Sequence, residues 1–371
     1  MKRNNIKNYK RWVVKVGSAL LTDNGAGLNS AFIEKLAAQV TFLIKQNIEV
    51  LLVSSGSVAA GVSQLKMSQR PERINELQAA AAVGQASLVR QYEQAFKPYD
   101  VNIAQILLTH ADIANRERYL NAKGALTTLL DLGVLTVINE NDTVATDEIC
   151  FGDNDNLAAL VANLVDAEML VILTDQNGLY TADPRSNPDA KLLSKVDAND
   201  ENLLPMASGG SAVGRGGMVT KLTAAQRASR CGAHTIIANG SEQQILERLY
   251  KGENLGTFLV AQERLKSRKQ WVAGQLKICG TVLLDGGASD VLRKSGKSLL
   301  PVGITAVSGA FKRGELVSCL DESGNEIARG LSNYSHEEAE KIIGQPSNKI
   351  FELLGYAGND EFIHRDNLVL V

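Results

Sequence analysis

Short apolar runs alternate with longer segments of helical spacing through the first two thirds of the chain, and few architectures accept that pattern. Residues 11–16, 50–53, 101–108, 134–138, 169–173 and 234–238 read as strands. Between them, residues 30–46 place Phe32, Ile33, Leu36, Val40 and Leu43 on one helical face. Residues 58–66, 74–97, 116–132, 157–166, 220–231 and 245–251 also read as helices. Apolar strands flanked by amphipathic helices predict an α/β fold, a mostly parallel open sheet with helices on both faces.

The composition changes near Arg264. Residues 264–313 hold ten Lys or Arg against two acids, Asp285 and Asp290, and short β-like segments follow at 280–284, 303–307, 316–320 and 326–330. We therefore expect a small, mostly β domain over 273–371, a charged linker at 263–272 and a catalytic domain over 1–262. A length of 371 residues agrees with two domains. The whole-chain balance of 39 basic and 41 acidic residues excludes polyanion binding by net charge alone. There is no apolar run of about 18 residues, so no membrane span is expected. The basic N-terminal stretch leads into a strand rather than a signal-peptide core. Cys150, Cys231, Cys279 and Cys319 form no CxxC pair, and no HExxH occurs among the four histidines. Reduced thiols in the cytoplasm, without structural zinc, are the expectation.

Residues 137–160 carry the densest polar chemistry. Asn139, Glu140, Asn141, Asp142, Asp147, Glu148, Asp153, Asn154, Asp155 and Asn156 lie between an apolar strand and a helix. Amides and carboxylates at the carboxyl end of a strand suit a small zwitterion or a metal, and open α/β sheets bind ligands at that edge. Lys15 and Gly17 close the first strand, offering one cation beside a close backbone approach; alone, such a lysine is also an ordinary solvated group. Ser54, Ser55, Gly56 and Ser57 lead into a helix, as an anion-binding turn or a plain N-cap. Thr174 and Asp175 end another strand before a turn-rich loop. Residues 208–221 place five glycines ahead of Lys221, a loop suited to cradling phosphates but neither a P-loop nor GxGxxG. Together these elements suit phosphoryl transfer, which depends mainly on positioning and charge neutralisation.

The chain resembles the amino acid kinase family, in its branch that phosphorylates glutamate. The resemblance rests on KVGS (15–18), SSG (54–56), AAVGQ (81–85), INEND (138–142), GDNDNL (152–157), the run 173–188 and GGMVTK (216–221). The C-terminal part resembles a PUA domain. The resemblance implies ATP-dependent transfer to the side-chain carboxylate of L-glutamate, the committed step of proline synthesis, with Mg²⁺, feedback inhibition by proline and a homo-oligomer, dimer or tetramer. It assigns substrate contacts to Ser55, Gly56, Asp142 and Asn154. It assigns ATP contacts to Lys15, Gly17, Thr174, Asp175, Arg215, Gly216, Gly217, Met218, Val219, Thr220 and Lys221. Arg215 departs from the family, which more usually has a small residue or threonine there.

A substrate carboxylate is already ionised at neutral pH, so no general base is needed. The obstacle is repulsion from the γ-phosphate, roughly 4 kcal/mol per pair of unit charges about 4 Å apart at an effective dielectric near 20. We expect Lys15 to neutralise the transferring group, Lys221 the leaving ADP, and Asp155 to orient both lysines. Asp153 is a second candidate for that orienting role. Asp142 is expected to pair with the α-ammonium, and Asn154 with the backbone near Ser55 and Gly56 to hold carboxylate oxygens. Asp147 and Glu148 line the pocket mouth or a proline site, or are simply solvated. No residue is assigned as a metal ligand. Acetylglutamate, aspartate or carbamate are the alternative acceptors, and acetylglutamate would leave Asp142 without an ammonium partner. RNA binding by the basic C-terminal domain is a separate alternative; it lacks an array of stacking aromatics, since Trp271 and Phe311 stand alone.

Overall fold

A computed structural model describes residues 3–22, 27–144, 154–208, 217–261 and 278–370. It divides into two compact units, Met1–Ala114 with Asn121–Gln262, and Asn115–Leu120 with Glu263–Val371.

The first unit holds eight strands: β1 (Arg11–Val16), β2 (Glu49–Ser54), β3 (Ile103–Leu108), β4 (Leu135–Glu140), β5 (Met169–Thr174), β6 (Lys195–Asp197), β7 (His234–Asn239) and β8 (Thr257–Val260). Their order is β3-β4-β2-β1-β5-β7-β8-β6. All neighbours run parallel except β7 and β8. Strand β1 lies between β2 and β5, where the connections diverge to opposite sides of the sheet. Such a switch point opens a crevice at the carboxyl ends of the strands.

The two faces of β1 do different things. Trp12, Val14 and Val16 join a core with Leu36, Leu52, Tyr92, Phe96 and Val171. The two-residue period of a strand turns Val13 and Lys15 to the opposite face. The helix Asn154–Leu164 begins three residues earlier than the apolar spacing alone suggests, which puts Asn154 and Asp155 in its first turn. An acid there is favoured by the helix dipole, a signal that a search for apolar periodicity overlooks.

Two more helices are pressed together beneath the site. A Cβ on Gly84, in the helix Ile74–Phe96, would lie 1.8 Å from the Ser57 carbonyl oxygen, and one on Gly61 would lie 1.7 Å from that of Ala80. Only glycine at both positions lets the helix Ser57–Gln64 approach this closely.

The second unit contains β9 (Gly280–Leu284), β10 (Ile304–Ser308), β11 (Leu316–Leu320), β12 (Glu326–Leu331) and β13 (Leu368–Leu370), ordered β10-β9-β11-β12-β13. Its core gathers Val282, Leu292, Phe311, Val317, Tyr334 and Phe362. Four of these strands were expected. The helices Gly286–Ser295, His336–Ile342 and Ile350–Leu354 were not. The second of them starts with a reciprocal capping box between Ser335 and Glu338, a short-range signal that outweighs the β-like spacing around it. The expected linker at 263–272 lies outside the described residues. No helix among the described residues is long and apolar enough to cross a membrane.

Candidate functional site

The carboxyl edge of the first sheet holds two clusters that meet at Asn154 and Asp155. The first is ionic. Lys15 Nζ lies 2.7 Å from Asp155 Oδ1, and Lys221 Nζ donates to Asp155 Oδ2 at 3.1 Å. Lys15 and Lys221 are each 5% exposed and Asp155 is 1% exposed, so Lys15 is not the solvated group its position alone allowed. Burial by itself would raise the Asp155 pKa, but the two ammonium groups outweigh it and hold the carboxyl below the usual range. Two ammoniums against one carboxylate give these three groups a net charge of +1.

The nucleotide candidates surround that cluster. The Gly17 amide donates to the Leu173 carbonyl at 3.1 Å, and a Cβ there would sit 3.9 Å from Lys15 Nζ. Gly17 therefore keeps the space beside the ammonium clear. Gly217 precedes the helix Met218–Ser229, which carries Met218, Val219, Thr220 and Lys221 in its first turn. The Thr220 hydroxyl lies 2.9 Å from Asp155 Oδ2 and 2.8 Å from the Gly217 carbonyl, so it braces the carboxylate. Thr174 is buried and donates to Asp175 at 3.0 Å, while Asp175 is exposed at the end of β5. Arg215, Gly216, Asp147, Glu148 and Asp153 lie outside the described residues.

The second cluster is neutral. Asn154 Nδ2 donates to the Ser54 carbonyl at 3.1 Å, to Ser55 Oγ at 3.0 Å and to Asn139 Oδ1 at 2.9 Å. Asn139 Nδ2 in turn donates to Gln85 Oε1 at 2.8 Å. Ser54 Oγ donates to the Ser55 carbonyl and lies 2.9 Å from the buried Tyr92 hydroxyl, which ties the end of β2 to the helix Ile74–Phe96. Burial pushes the Tyr92 phenol well up, more than the bond to Ser54 lowers it, so it stays neutral. Gly56 adopts φ 107°, a left-handed conformation that favours glycine, and starts the helix Ser57–Gln64. Ser57 Oγ donates to Asp142 Oδ2 at 2.9 Å. Asp142 also lines a cleft of about 280 Å³ with Gln85, Gln105, Leu107 and Glu140.

Asn154, with the backbone near Ser55 and Gly56, was expected to hold carboxylate oxygens; its NH₂ group donates within the protein, and its carbonyl oxygen is the end left over. Asn139 stood in the polar stretch 137–160 and Ser57 in the turn 54–57, but neither they nor Gln85 were given an individual role. Gln85 stood inside the AAVGQ motif, and Asn139 is a buried amide ending an apolar strand; that mismatch was the available signal.

A sheet of this order, with an anion-neutralising cluster at its switch point, defines a phosphotransferase of α/β type. The model of the amino acid kinase family matches residues 10–239, and that of the PUA domain matches residues 280–354. The chain belongs to the amino acid kinase family and carries a C-terminal PUA domain. It is 56% identical over 371 residues to the glutamate 5-kinase of Pseudomonas entomophila (strain L48), covering 100% of both chains. It is 57% identical over 366 residues to the glutamate 5-kinase of Methylobacillus flagellatus, covering 98% of both. Among solved structures, a carbamate kinase from Giardia lamblia bound to AMP-PNP shares the fold at a TM-score of 0.52 and 20% identity, covering 69% of this chain and 100% of that one.

Proposed function

We propose that this chain transfers the γ-phosphoryl group of ATP to the side-chain carboxylate of L-glutamate, giving L-glutamyl 5-phosphate and ADP. The observation that carries this is the pair of buried lysines converging on Asp155 at the carboxyl edge of the sheet. A carboxylate oxygen forms a bond to the γ-phosphorus as the bond to the β,γ-bridging oxygen breaks, and the electron pair leaves with ADP. No proton is removed from the nucleophile. Lys15 offsets charge on the transferring group and Lys221 offsets charge growing on ADP. Asp155 does not accept a proton; it keeps both ammoniums aimed at one place.

Magnesium fits here as the companion of the nucleotide. Asp155 is engaged by both lysines, and no group of three His, Cys, Asp or Glu among the described residues could hold a metal ion. When bound with the nucleotide, the ion would supply further positive charge beside Lys15 and Lys221.

Substrate recognition is assigned to Asp142 for the α-ammonium, with Ser55, Gly56 and Asn154 beside it. Proline, which shares an ammonium and a carboxylate on one carbon, is proposed as an inhibitor. We further propose a homo-oligomer, a cytoplasmic location, and the division 1–262, 263–272 and 273–371. The family matches fall on either side of that linker and support the division. For the PUA domain a structural or regulatory role is favoured over RNA binding. Among its basic residues, Arg293 pairs with Asp321 at 2.8 Å, Lys294 with Asp290 at 2.9 Å and Arg329 with Glu326 at 2.7 Å.

The test is ATP turnover with L-glutamate in the presence of hydroxylamine, which traps an acyl phosphate as a hydroxamate. Hydroxamate formed with L-glutamate in excess over aspartate and acetylglutamate is expected, and added proline should suppress it. ADP release without hydroxamate would refute acyl-phosphate formation.

A further inference from the structure

We infer that Gln85 is a positioning residue: through Asn139 it braces Asn154 in the orientation that the Ser54 carbonyl sets, so that Asn154 offers an acceptor to the substrate ammonium. The inference rests on the glutamate reading above and deepens it.

Polarity enters the chain of amides at one unambiguous atom. The Ser54 carbonyl can only accept, so the Asn154 atom 3.1 Å from it must be the nitrogen. Asn139 must then face Asn154 with its oxygen, at 2.9 Å, and Gln85 with its nitrogen, at 2.8 Å. Gln85 is left presenting Oε1 inward. Its Nε2 is buried and finds no hydrogen-bond partner among the described residues. An orphaned buried donor costs about 1–3 kcal/mol, yet turning the Gln85 amide over would set donor against donor at Asn139. The fold accepts the orphan at the cleft end and keeps the order of dipoles at the substrate end.

The result is an acceptor pair. Asn154 Oδ1 receives no hydrogen bond from any described residue. Asp142 is held by Ser57, two residues along from the Ser55 hydroxyl that touches Asn154. Ser55 and Ser57 lie at most about 7 Å apart along the backbone, so Asn154 and Asp142 are both held by one short turn. A carboxylate and an amide oxygen together suit a primary ammonium, whose three donors exceed what one carboxylate can satisfy well.

The experiment compares L-glutamate with glutarate, the same dicarboxylate without its amine, as acceptors for wild type, Gln85→Met and Gln85→Glu. Methionine removes the acceptor for Asn139. Glutamate at this position keeps that acceptor and removes the orphan donor. In Gln85→Met the KM for L-glutamate should rise about tenfold, with kcat and the KM for ATP nearly unchanged and kcat/KM for glutarate unaltered. The preference for glutamate over glutarate thus narrows about tenfold. Gln85→Glu should restore it. Equal losses on both acids, or no loss, would overturn the relay while leaving the kinase reading intact. Wild-type protein inert toward L-glutamate would overturn the kinase reading itself. Circular dichroism and denaturant midpoints on each variant separate a folding defect from a change in selectivity.

Discussion

The ionic and amide clusters share one sheet edge and solve opposite problems. Around Asp155 the task is to store positive charge in a place with little water, and the device is a buried carboxylate shared by two ammoniums. Around Asn154 the task is to orient a neutral group, and the device is a line of dipoles anchored on one backbone carbonyl. Charge is tuned by how many ions converge, and direction is tuned by which atom cannot be turned around. The first cluster is expected to govern the chemical step and the second the choice of acid.

The largest effect should come from breaking the ionic side. Lys15→Ala and Lys221→Ala are each expected to lower kcat by about 10³-fold, about 4 kcal/mol, with the KM for glutamate little changed. Steady-state kinetics check this, and unchanged turnover would remove that lysine from the chemistry. Breaking the acceptor side should move the other constant. Asp142→Asn is expected to raise the KM for glutamate about a hundredfold, about 2.7 kcal/mol, while ATP affinity holds. Equal losses for both substrates would mark a folding defect instead.

A third substitution strikes the scaffold that both share. Gly84→Ala puts a methyl group into the Ser57 carbonyl and should destabilise the first unit by about 2–3 kcal/mol, read as a lower denaturant midpoint. Full stability would mean the two helices separate without cost. Acid sharpens the contrast more gently. The Asp155 carboxyl titrates below its unfolded value, so its stabilising contribution is complete above about pH 4 and declines as pH falls toward its folded pKa. The stability gap between wild type and Asp155→Asn should therefore be flat from pH 8 to about 5 and close below about 4. A gap that closes near neutrality would contradict the two-lysine clamp. Smallest of all, Cys319 is buried with its thiol pushed up to about 12, so it should stay unmodified by a disulfide reagent at pH 8 unless denaturant is added.

Much of this was legible in the sequence, for reasons that also explain the gaps. Strands β1, β2, β4, β5 and β7 announce themselves because burial on both faces leaves unbroken apolar runs. β6, β8 and β13 were missed because three or four residues are too few to show a period. Lys15 and Lys221 could be named as cations and Asp155 as the acid that orients them, but the geometry of that convergence, across 140 and 66 positions, is a product of topology. Asn154 could be named as a contact, but not which end of its amide faces the substrate. That depends on Ser54, Asn139 and Gln85, which become neighbours only when the helix Ile74–Phe96 lies against the end of the sheet.

Asn154 and Asp155 are consecutive residues, and each belongs to a different cluster. On the proposed assignment, the residue beside the acid and the residue that clamps the two lysines are therefore joined by a single peptide unit, about 3.8 Å from Cα to Cα. Loosening of a surface loop or a slide between sheet and helix carries both residues along together. The spacing of the two residues at the join is written into covalent geometry, the stiffest ruler a polypeptide owns.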